Sequence, residues 1–190
     1  MKQIYSRLFA TVLVLVVFSF KTFSATITSN AVTGNWNAPA TWVGGVVPGA
    51  ADDVIIANGA TVNITSTPIT CLSLTVGQGT SGILVFNTAN NNFTVTGTTT
   101  VAAGAQLNFT TTTTGTRQFA SVIVNGTWNN SANSTATLTG SLTVNTGATF
   151  TAGTAVQTFS GAAQTIGGTI ASITIASATD RKSTRLNSSH

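Results

Sequence analysis

Two carboxylates stand side by side at Asp52 and Asp53, and residues 25–179 contain no others. A carboxylate pair can do three kinds of work. In glycoside hydrolysis the two groups must face each other across the sugar, one of them with a raised pKa. Sequence neighbours on an extended chain point to opposite faces, so Asp52 and Asp53 suit that task poorly. With backbone carbonyls they could hold calcium, but such sites take six to eight oxygens, several of them carboxylate. Asp52 and Asp53 are thus a weak calcium candidate. The third task is turn formation, with the side chains bonding backbone N–H groups ahead of Val54, and it suits this pair best.

The other reactive residues are scarce. Cys71 and His190 each occur once, too few for a disulfide or a zinc site. Cys71 reads as a small buried apolar side chain. Arg117 has no acidic neighbour in sequence and is expected to be solvated. The aromatic rings of Trp36, Trp42 and Trp128 could stack on the C–H face of a sugar. For Trp36 and Trp42 the competing role is to cover the open end of the domain's apolar core. Trp128, beside Asn129 and Asn130, fits either role. Acid–base catalysis lacks side chains here, so the expectation is of a chain that is not an enzyme, with no catalytic residue and no cofactor.

Charge sorts the chain into parts. Seven Lys or Arg against three Asp, with no Glu, give the 190 residues a net of +4. Lys2, Arg7 and Lys21 flank a 13-residue apolar run from Leu8 to Phe20. That is the pattern of an export leader, and the run is shorter than the roughly 20 residues of a membrane span. Thr22 and Ser24 stand at −3 and −1 of a cleavage after Ser24, which makes residues 1–24 a signal peptide. Cleavage after Ala25 would put bulky Phe23 at −3. At the other end, 180–190 reads DRKSTRLNSSH, breaks with the text before it, and resembles a translated sequencing adapter. The natural chain is therefore expected to continue past Thr179. Residues 25–179 keep only Arg117 against Asp52 and Asp53, a net of −1. Without a basic patch, nucleic acid is not an expected partner. Once the leader is removed, no membrane span is expected either.

The elements that would position these residues are strands. Thr accounts for 39 residues and Gly for 18, and no amphipathic helical stretch occurs. Short alternating runs recur at Val54–Ile56, Leu74–Val76, Thr99–Val101, Val122–Val124, Leu142–Val144 and Ile173–Ile175. Several open the same phrase: an apolar strand, a Gly-containing turn, then a second short strand, as in VIIANGATVNI (54–64), TTVAAGAQLNF (99–109) and LTVNTGATFTA (142–152). Starts at 54, 74, 99, 122, 142 and 173 predict a stacked-repeat architecture, a parallel β-solenoid with inward apolar columns. Outward faces of such a coil are sheet surface too, which accounts for the Thr content. The alternative is an antiparallel β-sandwich, for which Asn58-Gly59 and Asn125-Gly126 offer hairpin turns. The expected division is an N-terminal cap and first coil over 25–72 and further coils over 73–179.

Residues 34–64 read GNWNAPATWVGGVVPGAADDVIIANGATVNI. The ordered Gly34, Trp36, Pro39, Trp42, Gly44-Gly45, Pro48, Asp52-Asp53 and Gly59 resemble the start of the eight-glycine domain family and the similar segment that opens many secreted bacterial surface proteins. The resemblance implies an all-β, right-handed parallel β-helix in an extracellular, cell-surface setting, and supplies no catalytic motif. Three functions then compete. The first is a structural or adhesive segment of a bacterial surface protein, contacting a glycan or another cell-surface protein. The second is the N-terminal part of a polysaccharide-degrading β-helix enzyme with its catalytic residues beyond Thr179. The third is ice binding by flat Thr arrays, which irregular Thr-x-Thr spacing disfavours.

Overall fold

The computed structural model describes residues 24–65, 68–90, 92–112, 114–170 and 175–176. The expected leader, apart from Ser24, and the segment 180–190 lie outside these residues. The chain winds as a coil of short strands. Coil 1 has β1 (Thr26–Thr28) and β2 (Thr33–Asn35), followed by two single 3-10 turns, Pro39–Thr41 and Val43–Gly45. Coil 2 has β3 (Asp53–Ile56), β4 (Thr61–Ile64) and β5 (Ile69–Cys71), and coil 3 has β6 (Ser73–Val76), β7 (Ile83–Phe86) and β8 (Phe93–Val95). Coil 4 has β9 (Thr99–Val101), β10 (Gln106–Phe109) and β11 (Arg117–Phe119). Coil 5 has β12 (Val122–Val124), β13 (Thr127–Asn129) and β14 (Thr137–Leu138). Coil 6 has β15 (Leu142–Val144), β16 (Thr149–Thr151) and β17 (Gln157–Phe159), and coil 7 has β18 (Ile166–Gly168) and β19 (Ile175–Ala176).

Strands one coil apart pair side by side and build three sheets. The first runs β1-β3-β6-β9-β12-β15-β18, the second β2-β4-β7-β10-β13-β16, and the third β5-β8-β11-β14-β17-β19. All these pairings are parallel. This is the β-solenoid, and the sandwich is set aside. The reason is visible at Asn58-Gly59. The Ala60 N–H closes a turn onto the Ala57 carbonyl at 3.1 Å. Gly59 has a φ of 77°, while Asn58 does not share the positive φ. A two-residue type I′ hairpin needs positive φ at both positions. The turn instead bends the chain from the first sheet into the second, where the next strand pairs with other coils. Gly126 has no positive φ at all.

The core is a set of inward files held in register. Val54, Leu74, Thr99, Val122 and Leu142 form one file of the first sheet, and Ile56, Val76, Val101, Val124 and Val144 the next. All ten are buried. In the second sheet, Phe86 stacks on Phe109 with ring centroids 4.7 Å apart and planes 9° from parallel. Trp128 continues the aromatic line, 5.3 Å from Phe109 and 5.7 Å from Phe150. Each coil alone leaves an apolar face open. Stacking closes it, and so the repeats stabilise one another.

Coil 7 opens at Ile166, where β18 joins the first sheet, and β19 joins the third. The strand β18 reads Ile-Gly-Gly and lacks the alternation that marks its predecessors. The expected start at Ile173 lies outside the described residues. One expectation needs correction. Arg117 is not solvated. It points inward on β11 and is 1% exposed.

Candidate functional site

Trp36, Trp42, Asp52, Asp53 and Cys71 gather at the N-terminal end of the coil, while Arg117 and Trp128 lie in coils 4 and 5. Coil 1 has strands for the first two sheets only, and residues 36–52 take the place of its third. Trp36 follows β2 directly, and its N–H donates to the Asn63 carbonyl of β4 at 2.9 Å. It therefore extends the file of Ile64, Phe86 and Phe109 to the end of the rod. The Trp42 Nε1–H donates to the Trp36 carbonyl at 2.7 Å, and the two rings meet edge to face at 5.0 Å. Trp36 also meets Phe93 edge to face at 5.4 Å. The turn carrying Trp42 presses close: a Cβ on Gly34 would run into the Thr41 hydroxyl. Only a glycine lets the cap approach β2 that closely.

Trp36 and Trp42 are each 1% exposed and Trp128 is 2% exposed. A ring enclosed on its faces has none left to lay against a sugar, so the geometry assigns Trp36 and Trp42 to the cap and Trp128 to the core. Sugar stacking, the other role open to them, finds no exposed ring at these three positions.

Asp52 and Asp53 are held by donors. Asp52 Oδ2 accepts the Gly49 N–H at 2.8 Å and Asp52 Oδ1 accepts the Ala25 N–H at 3.2 Å. Asp53 Oδ1 accepts the Ser73 hydroxyl, and Asp53 Oδ2 accepts the Ser24 hydroxyl at 3.1 Å. Asp52 is thus met by backbone N–H donors and Asp53 by serine hydroxyls. Among the described residues, no group of three or more His, Cys, Asp or Glu comes together. These contacts suit the turn-forming role.

Cys71, on β5, is fully buried, and its thiol is pushed up to about 12 by burial first and then by Asp53 and Asp52. A thiol held neutral is neither a nucleophile nor a metal ligand. Arg117, deep in coil 4, donates from Nε to the Thr135 carbonyl at 2.8 Å and from Nη2 to Thr135 Oγ1 at 3.3 Å. Burial brings its guanidinium down to about 10. It lies beneath the surface and offers no cation to a partner.

A cleft of about 310 Å³ opens between the cap and the third sheet, lined by Trp36, Val47, Pro48, Pro68, Ile69 and Thr70 among others. Its lining has no carboxylate, imidazole or thiol. In β5, Ile69 donates to Asn92 and Cys71 accepts from Thr96, so both turn their backbone groups toward β8. In a parallel ladder the residue between them turns the other way. Thr70 thus directs its N–H and carbonyl toward the cleft, as the open edge of the third sheet. Sequence reasoning missed this edge, because nothing local marks a strand whose neighbour is replaced by a cap. Val43 and Val46, on the cap turn, are 60% and 59% exposed.

Outer faces carry polar files. On the second sheet one file reads Thr33, Thr61, Ile83, Gln106, Thr127, Thr149, and the other Asn35, Asn63, Val85, Asn108, Asn129, Thr151. Among the described residues, no helix is long and apolar enough to cross a membrane.

No curated protein and no solved structure matches the chain. A family model does: the G8 domain matches residues 41–160, more than half of the chain. The match begins within the cap and runs through β17, taking in the cap turn, both aspartates, the corner glycines and five complete coils. The chain belongs to the G8 domain family.

Proposed function

We propose that this chain is a non-catalytic structural or adhesive β-solenoid segment of an extracellular bacterial surface protein, exported by the leader at 1–24. The observation that carries the reading is the disposition of its few reactive groups. Both carboxylates of the described residues are tied to backbone and hydroxyl donors, the thiol is buried, and the cleft has no acid–base group. What the domain offers outward is a stack of polar files and the sheet edge at Thr70. G8 domains occur in extracellular proteins, which agrees with this placement. The rod spaces and displays. Its Thr and Asn files and the edge at Thr70 are the surfaces through which it meets a glycan or a neighbouring protein. Ice binding is poorly served, because Ile83, Val85 and Gln106 interrupt both files of the second sheet.

The test is to incubate the purified protein with a panel of polysaccharides and measure new reducing ends, alongside a glycan-array screen. The reading expects no release of reducing ends. Release that disappears in a folded Asp52→Asn/Asp53→Asn variant would overturn it in favour of a hydrolase.

A further inference from the structure

The sequence alone places two cleavage points side by side, after Ser24 and after Ala25, and the structure treats these residues differently. Ala25 is fixed at both ends of its backbone: its N–H donates to Asp52 Oδ1 at 3.2 Å, and its carbonyl accepts the Asp53 N–H at 2.8 Å. Ser24 contributes a side-chain contact alone, to Asp53 Oδ2. The strand β1 begins at Thr26, in register with Asp53. Loss of Ser24 leaves β1 and both Ala25 contacts in place. Loss of Ala25 removes the chain's link to Asp52 and the first rung between β1 and β3. Ser24, Ala25 and Thr26 are exposed.

We propose that the chain is processed between Ser24 and Ala25, and that Asp52 and Asp53 are the receptor for the new N-terminus. This rests on the export reading above. A signal peptidase adds water across the Ser24–Ala25 peptide bond; Ser24 leaves with a carboxylate and Ala25 keeps a protonated amine. The amide N–H that faces Asp52 becomes an ammonium with three donors. Asp52 is already aimed, because Gly49 holds its other oxygen at 2.8 Å. Asp53, released from the Ser24 hydroxyl, adds a second negative charge on the strand that pairs with this end of the chain. The coincidence is informative in so uncharged a domain. Both carboxylates of 25–179 meet the point where cleavage creates a positive charge, while the remaining charged side chain, Arg117, lies in the interior of coil 4. Processing thus completes the cap electrostatically.

An α-amine beside a carboxylate titrates above its usual range of about 7.7–8.0. The groups facing it are Asp52 and Asp53, with Cys71 behind them as a neutral thiol. A raised amine pKa stabilises the fold below about pH 8, and that contribution fades as the pH rises through the folded value. The full-length gene is expressed in an exporting bacterial host. The exported protein is analysed by intact mass, and its α-amine is titrated by NMR after reductive ¹³C-methylation, in the wild type and in Asp52→Asn. The expected results are Ala25 at the N-terminus, a wild-type titration above the usual range, and a return toward it in Asp52→Asn. An exported chain that begins elsewhere overturns the processing site and spares the export reading. A chain that retains residues 1–24 overturns the export reading. Ala25 at the N-terminus with the same titration in both proteins overturns the role of Asp52.

Discussion

Coils 2 and 3 have a different interior from coils 4 to 6. Between Asp53 and Val95 the buried side chains are aliphatic, aromatic or the single thiol of Cys71. Between Thr99 and Phe159 the strands bury Thr99, Arg117 and Gln157, and the loop between β13 and β14 buries Asn130 and Ser134. Most of these polar groups are matched to partners. Asn130 Nδ2 donates to the Ser134 and Ala152 carbonyls at 2.6 and 3.0 Å, and its Oδ1 accepts the Ser134 N–H at 2.8 Å. Gln157 donates to the carbonyls of Ser134, Ala152 and Ala155 and accepts the Ala136 N–H. The network closes the loop 130–135 from inside, where the chain leaves the second sheet before β14. The apolar coils are held by files that any similar residue could extend. The polar coils are held by a few directional bonds, each of which matters singly.

The difference can be broken from either side. The largest effect is expected from Phe86→Ala in coil 3. Phe86 is fully buried, stacked on Phe109 and edge to face with Phe93. Its truncation should destabilise by about 3–5 kcal/mol, read from denaturant midpoints. Asn130→Ala in coil 5 removes little apolar area but strands several buried backbone groups. The expected loss is about 1–3 kcal/mol for an unsatisfied buried group. Thr99→Val goes the other way. Thr99 Oγ1 is buried without a hydrogen-bond partner among the described residues, and its place in the file lies between Leu74 and Val122. A near-isosteric methyl should stabilise by about 1 kcal/mol.

Cys71 gives a local readout of the same comparison. A solenoid can open coil by coil, so damage need not spread evenly. Alkylation of Cys71 at neutral pH should be slow in the native protein, faster in Phe86→Ala, and little changed in Asn130→Ala. Equal acceleration in both variants would mean that the two regions open as one unit. The thiol also has a pH signature. Its folded pKa is raised to about 12 from 9.0, so its contribution to stability is whole below pH 9 and fades as the pH climbs toward 12. The midpoint difference between wild type and Cys71→Ala should drift only above about pH 9.

Particular strands show what could be read in advance. β3, β6, β12 and β15 alternate cleanly, and their starts give the repeat. β5, β11 and β17 escaped notice because their inward residues include Cys71, Arg117 and Gln157, which do not look like core. Arg117 was misplaced for the same reason: burial of a guanidinium depends on Thr135 in the next coil, 18 positions away.

By itself, then, the sequence determined the alternating strands of the first sheet, the repeat they set and the glycines at the bends, because period-two alternation and positive φ are properties of a few consecutive residues. It also limited the chemistry, since a side chain that is missing cannot be supplied by folding. Only the tertiary structure decided what lies against what: that three tryptophans face inward, that Asp52 and Asp53 reach back to Ala25, and that β5 has an open edge. Those facts depend on contacts between segments that are separate in sequence, as Ala25 and Asp52 are by 27 positions. A rung of the solenoid is set by the coil stacked on it, and the chain carries no local mark of that neighbour.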